Sequence, residues 1–111
     1  MKIKQSELNN NIGKLSLEGS LDIQGTSIAE LPLSVASGKY DNLIVDFSKV
    51  EFLASIGVRI IVKSAKTLSL KGGKLAIIKP NDMCLKVIKS TGIDALVPIA
   101  EDEDAAIIAV S

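Results

Sequence analysis

Apolar and polar residues follow one another along this chain with two different periods, which divide it into strands and helices. Alternation at every second residue, or a short unbroken apolar run, is the pattern of a β-strand. Five segments show one of these patterns, at 2–8, 14–21, 42–48, 74–80 and 95–100. The Asn- and Gly-containing segment 9–13 separates the first two and is typical of a turn, so these two strands are predicted to form an antiparallel hairpin.

The first helix is predicted between the second and third strands. Ile28, Leu31 and Val35 are spaced as one helical face. Pro32 would remove a hydrogen bond from the helix interior, so we expect a short or bent helix that ends near Gly38. The candidate N-caps are Thr26 and Ser27.

Three later helices have clearer ends. One runs from Ser55 to Leu70 and is stopped by two glycines. The next begins after Asn81 or Asp82 and stops at Gly92. The last follows the acidic segment 101–104, whose negative charge suits a helix N-terminus. After the hairpin, helices and strands alternate, which predicts an α/β fold with a largely parallel sheet and right-handed crossovers; the hairpin makes the sheet mixed.

Composition narrows the class of protein. The chain has 111 residues, which suits one domain spanning 1–111, and 47% of them are hydrophobic, enough for a core without disulfides or metal. Lys plus Arg equals Asp plus Glu, at 13 each. This balance gives no electrostatic footprint for nucleic acid. We therefore expect no nucleic-acid partner.

The residues needed for most catalytic chemistry are missing. The chain has no histidine and a single cysteine, Cys84. It therefore lacks a Ser-His or Cys-His pair, a usual zinc site and an internal disulfide. We expect a protein that is not an enzyme and has no cofactor. Without an apolar segment long enough for a signal peptide or a membrane span, we expect a cytoplasmic protein with no direct membrane insertion.

The junction at Ser55, where a strand runs into a helix, is the most informative segment. Ile56 and Ile60 point nearly opposite the core stripe of this helix. Either a neighbouring element covers them, or they form an apolar contact patch beside Ser55; the sequence favours neither. Ser55 itself is either a plain N-cap or a phosphorylation site, because a phosphate there would be held by the helix N-terminus and would add up to two negative charges next to Ile56.

Four segments together resemble the STAS domain family, the anti-sigma factor antagonists of bacteria. They are GSLDIQGT at 19–26, VDFSKVEFLASIG at 45–57, GGKLAIIKP at 72–80 and STGIDALVPIAEDEDAAI at 90–107. The resemblance implies a STAS-type mixed, largely parallel β-sheet with helices packed mainly on one side. It also implies a binding module that sequesters an anti-sigma factor, often a serine kinase as well. Phosphorylation of a serine or threonine in the family's Asp-Ser-Ser/Thr-Gly motif prevents binding, and a phosphatase restores it.

ASIG at 54–57 occupies the position of that motif. By this match Ser55 is the phosphorylated residue, Gly57 is the motif glycine, and Ala54 and Ile56 replace the aspartate and the second hydroxyl residue. Asp22 matches an aspartate that lies near the phosphoserine loop in the family, although from the sequence alone a helix cap is the more common role of such a residue. The predicted partner-binding residues are Asp22, Ala54, Ser55, Ile56, Gly57, Arg59 and Ile60.

The predicted partners are an anti-sigma factor with serine kinase activity and a phosphatase, with this chain a monomer or weak dimer. An alternative keeps the fold and changes the role. The chain would then be a STAS accessory subunit of a membrane lipid-transport ATPase complex, with Ser55 only a cap.

Overall fold

The computed structural model describes residues 1–9 and 11–111. The strands are β1 (Lys2–Asn9), β2 (Ile12–Leu21), β3 (Asn42–Leu53), β4 (Leu75–Ile78) and β5 (Ile99–Ala100). The helices are α1 (Ile23–Lys39), α2 (Ser55–Leu70), α3 (Asp82–Thr91) and α4 (Glu103–Val110), with a short 3₁₀ turn at Ile93–Ala95. This order of strands and helices is the predicted one.

The five strands form one mixed sheet in the order β1-β2-β3-β4-β5. β1 is antiparallel to β2, and β2 to β5 are parallel. Each parallel strand lies beside the previous one, so successive right-handed crossovers all advance in the same direction and place their helices on the same face. The topology therefore puts α1, α2 and α3 together on one side of the sheet.

The core consists of two unequal layers. The larger layer joins α1, α2 and α3 to one face of the sheet through residues such as Leu33, Ile61, Phe47 and Ile88. The smaller one lies on the opposite face, where Ala106 and Val110 of α4 pack near Ile12, Ile44, Ala76 and Ile78. α4 is not a crossover, so the handedness rule does not hold it on the first face. An ion pair from Lys14 Nζ to Glu103 Oε1 at 2.7 Å fixes α4 to β2.

α1 differs most from its prediction. Its N-cap is Asp22, four or five residues before the predicted caps Thr26 and Ser27, and it runs from Ile23 through Pro32 to Lys39 as one 17-residue helix. Its buried side consists of Ala29, Leu33 and Ala36 with other small residues, whereas Ile28, Leu31 and Val35 face outward. The packing of small residues against the sheet outweighs the hydrogen bond that Pro32 removes.

Other differences concern element ends. β3 extends to Leu53, and β5 has two residues instead of the six predicted. The predicted cap at Asn81 is confirmed, because its Oδ1 accepts from Cys84 N at 2.8 Å. The acidic segment before the last helix supplies the cap of α4, where Asp102 Oδ1 accepts from Ala105 N at 2.8 Å. Of the predicted turn at 9–13, Asn10 lies outside the described residues. Within residues 1–9 and 11–111, no helix combines the length and apolar character needed to cross a bilayer.

Candidate functional site

The site lies where β2 and β3 end side by side. Leu21 and Leu53, the last residues of these strands, are paired in register. Adjacent strands are about 4.8 Å apart, so the residues that follow are neighbours in space. Asp22 follows Leu21 and starts α1, while Ala54 follows Leu53 and starts α2. The structure thus brings together Asp22 and the ASIG segment, which are more than 30 residues apart in sequence.

A backbone hydrogen bond fixes this arrangement. Ala54 N donates to Leu21 O at 3.0 Å, across the gap between the two strand ends. The carbonyl of Ala54 then accepts from Gly57 N at 2.9 Å and Val58 N at 3.1 Å, which begins α2. The position of Ser55 is therefore set by the end of β2 as well as by its own helix.

Ser55 is not the N-cap of α2. The cap position belongs to Ala54, whose side chain has no oxygen to accept a hydrogen bond, and α2 has no side-chain cap. Ser55 is the first residue of the helix and is exposed. The interpretation of Ser55 as a plain cap is wrong, because the Ala54 carbonyl already accepts the first bonds of the helix one residue earlier.

The missing cap leaves an electropositive helix end. α1, α3 and α4 each have an Asp or Asn cap whose side-chain oxygen accepts from the backbone N–H three residues further on, at 2.8 Å in all three helices. α2 lacks this acceptor: Gly57 N donates to the Ala54 carbonyl instead, and the N–H groups of the first residues, Ser55 and Ile56, have no acceptor within the helix. Together with the helix dipole, they favour a negative group at this end. A negative group attached to the side chain of Ser55 would lie at this end of the helix.

Gly57 lets α2 approach the sheet closely. It is buried, and a Cβ atom at this position would lie 2.9 Å from both Leu21 Cβ and Leu53 Cδ1 and 3.1 Å from Leu21 O. A side chain here would push the first turn of α2 away from the end of β2. Gly57 therefore supports the site from beneath and does not itself face a partner.

The two isoleucines of the predicted contact patch have different environments. Ile56 is 37% exposed, next to Ser55. Ile60 is only 6% exposed and belongs to the main core. The expectation that Ile60 forms part of an open patch is wrong, because α1 packs alongside α2 and covers it. Ile60 is therefore not available as a partner-binding residue. Of the two alternatives that the sequence left open for Ile60, coverage by a neighbouring element is the correct one.

The two charged residues of the site are both exposed. Asp22 Oδ1 accepts from Gly25 N at 2.8 Å, so this carboxylate is the N-cap of α1. Arg59 lies four residues after Ser55, one turn further along α2. Residues at this spacing are neighbours on a helix surface. The guanidinium of Arg59 is therefore positioned to reach a negative group carried by Ser55.

The comparisons with known proteins fit this architecture. The sequence profile of the STAS domain matches residues 4–106, which is most of the chain. The chain belongs to the STAS domain family. A Thermotoga maritima protein, whose name provisionally assigns it as an anti-sigma factor antagonist, is 32% identical over 60 residues. That alignment covers 54% of this chain and 53% of the relative, so the match spans about half of each protein.

Solved STAS structures share the whole fold. The unphosphorylated form of the anti-sigma factor antagonist SpoIIAA is 18% identical with a TM-score of 0.82, and the alignment covers 99% of both chains. An anti-sigma factor antagonist from Mycobacterium paratuberculosis is 24% identical with a TM-score of 0.83, over 98% of this chain and 94% of that one. The phosphorylated form of SpoIIAA from Bacillus is 20% identical with a TM-score of 0.75, over 97% of this chain and 99% of that one. At these identities the likeness concerns the fold.

Proposed function

We propose that this STAS protein is an anti-sigma factor antagonist, a binding module without catalytic activity that docks through the N-terminal end of α2 and is switched off by phosphorylation of Ser55. The observation that carries the proposal is the position of Ser55. Its side chain is exposed at the first residue of α2, the one α-helix among residues 1–9 and 11–111 that lacks a side-chain cap. Half-exposed Ile56 lies beside it and supplies apolar contact area.

The proposed switch is electrostatic. A phosphate on Ser55 would bring up to two negative charges to this end of the helix. In the free protein, the N–H groups of the first turn and the guanidinium of Arg59 would stabilise them. In a complex, a partner seated on Ile56 would have to remove water from the phosphate, and that cost opposes docking. Phosphorylation would thus leave the fold intact and exclude the partner.

The proposed partners follow from this chemistry and from the names of the relatives. The docking partner is an anti-sigma factor that is also a serine kinase, and a phosphatase restores the unmodified form. The surface we propose for docking comprises Asp22, Ala54, Ser55, Ile56 and Arg59, with Gly57 beneath it. We propose that the protein meets these partners in the cytoplasm.

The test uses the anti-sigma factor kinase of the same genome. We expect incubation with kinase and ATP to add one phosphoryl group to the wild-type protein and none to Ser55→Ala. In a titration without ATP, Ser55→Ala should bind as the wild type does, and Ser55→Asp should bind at least tenfold more weakly, a loss of about 1.4 kcal/mol. Ser69→Asp, an exposed serine at the other end of α2, is the matched control and should not weaken binding.

Retention of the phosphoryl group in Ser55→Ala would contradict the switch. Unchanged affinity of Ser55→Asp would contradict the docking surface. Asp22→Asn separates two roles of Asp22, because asparagine also caps helices and removes only the charge. Docking on a transporter ATPase stays a prediction of the sequence; capture of such an ATPase, at an affinity that Ser55→Asp does not change, would favour it.

A further inference from the structure

The outer side of α1 carries an apolar row that the fold leaves uncovered. Ile28, Leu31 and Val35 are 50%, 70% and 53% exposed. They lie on the side of the helix opposite Ala29, Leu33 and Ala36, which face the sheet. Single exposed apolar residues are ordinary on a protein surface, but a row of large ones along one helix indicates a contact surface.

The neighbouring helix α2 carries a basic row. Arg59, Lys63 and Lys66 are exposed, and α2 contains no acidic residue. The chain as a whole is neutral, with 13 basic and 13 acidic residues. α1 adds one acidic residue, Glu30, and one basic residue, Lys39. Positive charge is therefore concentrated on this side of the molecule and is balanced elsewhere.

Lys63 of the basic row lines a shallow cleft between the helices, and the apolar row lies on α1 beyond it. α1 and α2 pack side by side. The cleft between them is lined by Glu30, Ser34, Ile60, Lys63, Ser64 and Thr67. We call the surface formed by Ile28, Leu31, Val35, Lys63 and Lys66 the outer helical face. It presents an apolar side on α1 and a positively charged side on α2, with Glu30 and Ser34 between them at the cleft.

We propose that the outer helical face binds an acidic amphipathic helix of another protein. The apolar side of such a helix would cover Leu31 and its neighbours, and its carboxylates would lie over Lys63 and Lys66. This is the helix-in-groove mode, in which anchors at i, i+3, i+4 and i+7 supply the apolar contacts. Ile28, Leu31 and Val35 have the i, i+3 and i+7 spacing that such anchors would meet.

Two other occupants fit this face less well. A membrane surface is usually engaged with the help of interfacial Trp, Tyr or Phe, and neither α1 nor α2 contains an aromatic residue. A second copy would place its basic row over either the basic row or the apolar row of the first. The first arrangement brings like charges together and the second buries unpaired lysines, so neither is favourable.

This surface is separate from the Ser55 site. Lys63 and Lys66 lie 8 and 11 residues beyond Ser55, or about 12 and 16 Å along the helix axis. The proposal therefore does not depend on phosphorylation or on an anti-sigma partner. One chain could engage partners at the end and at the side of the same helix pair.

The test uses a defined probe. It is a fluorescein-labelled peptide of about 18 residues with leucines at i, i+3, i+4 and i+7 and glutamates on the flanking positions, long enough to form a helix on binding. We expect saturable binding by fluorescence anisotropy. In an NMR titration, the backbone amide signals of Leu31 and Lys63 should shift and that of Ser55 should not. The same peptide with lysine in place of glutamate should bind at least tenfold more weakly.

Protein variants locate the surface. Leu31→Lys and the double variant Lys63→Glu/Lys66→Glu should each weaken binding at least tenfold. The matched control is Lys86→Glu/Lys89→Glu on α3, which has the same spacing and is also exposed; it should bind as the wild type does. Leu31 is exposed, so its substitution leaves the core intact.

Several outcomes would overturn the proposal. They are the absence of saturable binding, equal binding by Leu31→Lys and the wild type, or equal loss in the α3 control. Binding of the wild type to vesicles with anionic lipid, abolished by Lys63→Glu/Lys66→Glu, would assign the face to a membrane instead. A dimer in light scattering that Leu31→Lys dissociates would assign it to a second copy.

Discussion

The uncapped start of α2 gives a quantitative prediction at Ala54. Its backbone angles are φ −88° and ψ 164°, close to those of the N-cap Asn81 at φ −71° and ψ 173°. An aspartate or asparagine at position 54 can therefore accept a hydrogen bond from Ile56 N, or from Gly57 N in place of the bond that Gly57 N now makes to the Ala54 carbonyl, without any change in the backbone. Replacing an N-cap Ser, Thr, Asn or Asp by alanine typically costs about 1 kcal/mol, so the reverse change should add about the same amount.

The expected shift in melting temperature follows from chain length. Unfolding entropy is about 2.1 cal/mol/K per residue, or about 230 cal/mol/K for this chain. A gain of about 1 kcal/mol then raises Tm by about 4 °C. We expect this increase for Ala54→Asn, and a slightly larger one for Ala54→Asp, because a carboxylate also interacts favourably with the helix dipole.

The assay is thermal unfolding followed by circular dichroism, with urea titration as a second measure of the free energy of unfolding. Ala54→Val is the control, because valine also adds bulk but provides no acceptor. An unchanged or lower Tm in both Ala54→Asp and Ala54→Asn would refute the reasoning. It would mean that the bond from Gly57 N to the Ala54 carbonyl already satisfies this end of the helix as well as a side-chain cap would.

Three further predictions concern the core around the site. Gly57→Ala should lower the free energy of unfolding in urea titration, although alanine is the better helix former, because its Cβ would meet Leu21; higher stability would show that the helix can shift freely. Leu33→Ala should cost about 2–5 kcal/mol and Leu31→Ala less than about 1 kcal/mol, and similar costs would contradict the assignment of the inner and outer sides of α1. Burial raises the pKa of the Cys84 thiol above its ordinary 9.0. The thiol should therefore stay neutral and react with a thiol reagent only after unfolding, and the contribution of its burial to stability should decline only as the pH rises above about 9; fast labelling of the native protein would contradict its burial.

The sequence predicts α2 accurately because that helix has one dominant apolar stripe. Val58, Ile61, Ala65 and Leu68 are buried as the period requires, and Val62 is half-buried. Residues at this spacing lie on one side of the helix, so when one of them faces the sheet the others face it too. The same period also puts Ile60 outside the stripe, and only the position of α1, a tertiary feature, explains why it is buried.

The sequence is ambiguous for α1 because two sides of this helix are apolar. The larger side chains, Ile28, Leu31 and Val35, suggest one buried face, yet the structure buries Ala29 and Leu33 on the other. Periodicity weighs residues by hydrophobicity and takes no account of how closely a helix must approach its sheet. Gly25 shows this requirement, because a Cβ there would lie within 3.3 Å of Asp22 Oδ1, and closer still to the carbonyl of Ser20.

The Ser55 site is predictable in its parts but not in its assembly. The strand-to-helix junction and the exposed serine follow from local pattern. That Asp22 lies beside it depends on the pairing of Leu21 with Leu53, which no local pattern contains. The absence of a side-chain cap could have been inferred from Ala54. A helix that begins at Ser55 has its cap position at residue 54, where alanine has no oxygen to accept a hydrogen bond.

β1 has a consequence for how copies of this chain meet one another. Within the part of the chain that the structure describes, β1 pairs with β2 along one side only, so the amide and carbonyl groups of its other side could pair with a strand from a neighbouring chain. Lys2, Lys4 and Glu7 are all exposed on this strand. Their charges repel or misalign an incoming strand, and such residues protect the edges of natural sheets. Neutralising the two lysines should therefore promote aggregation before it affects folding.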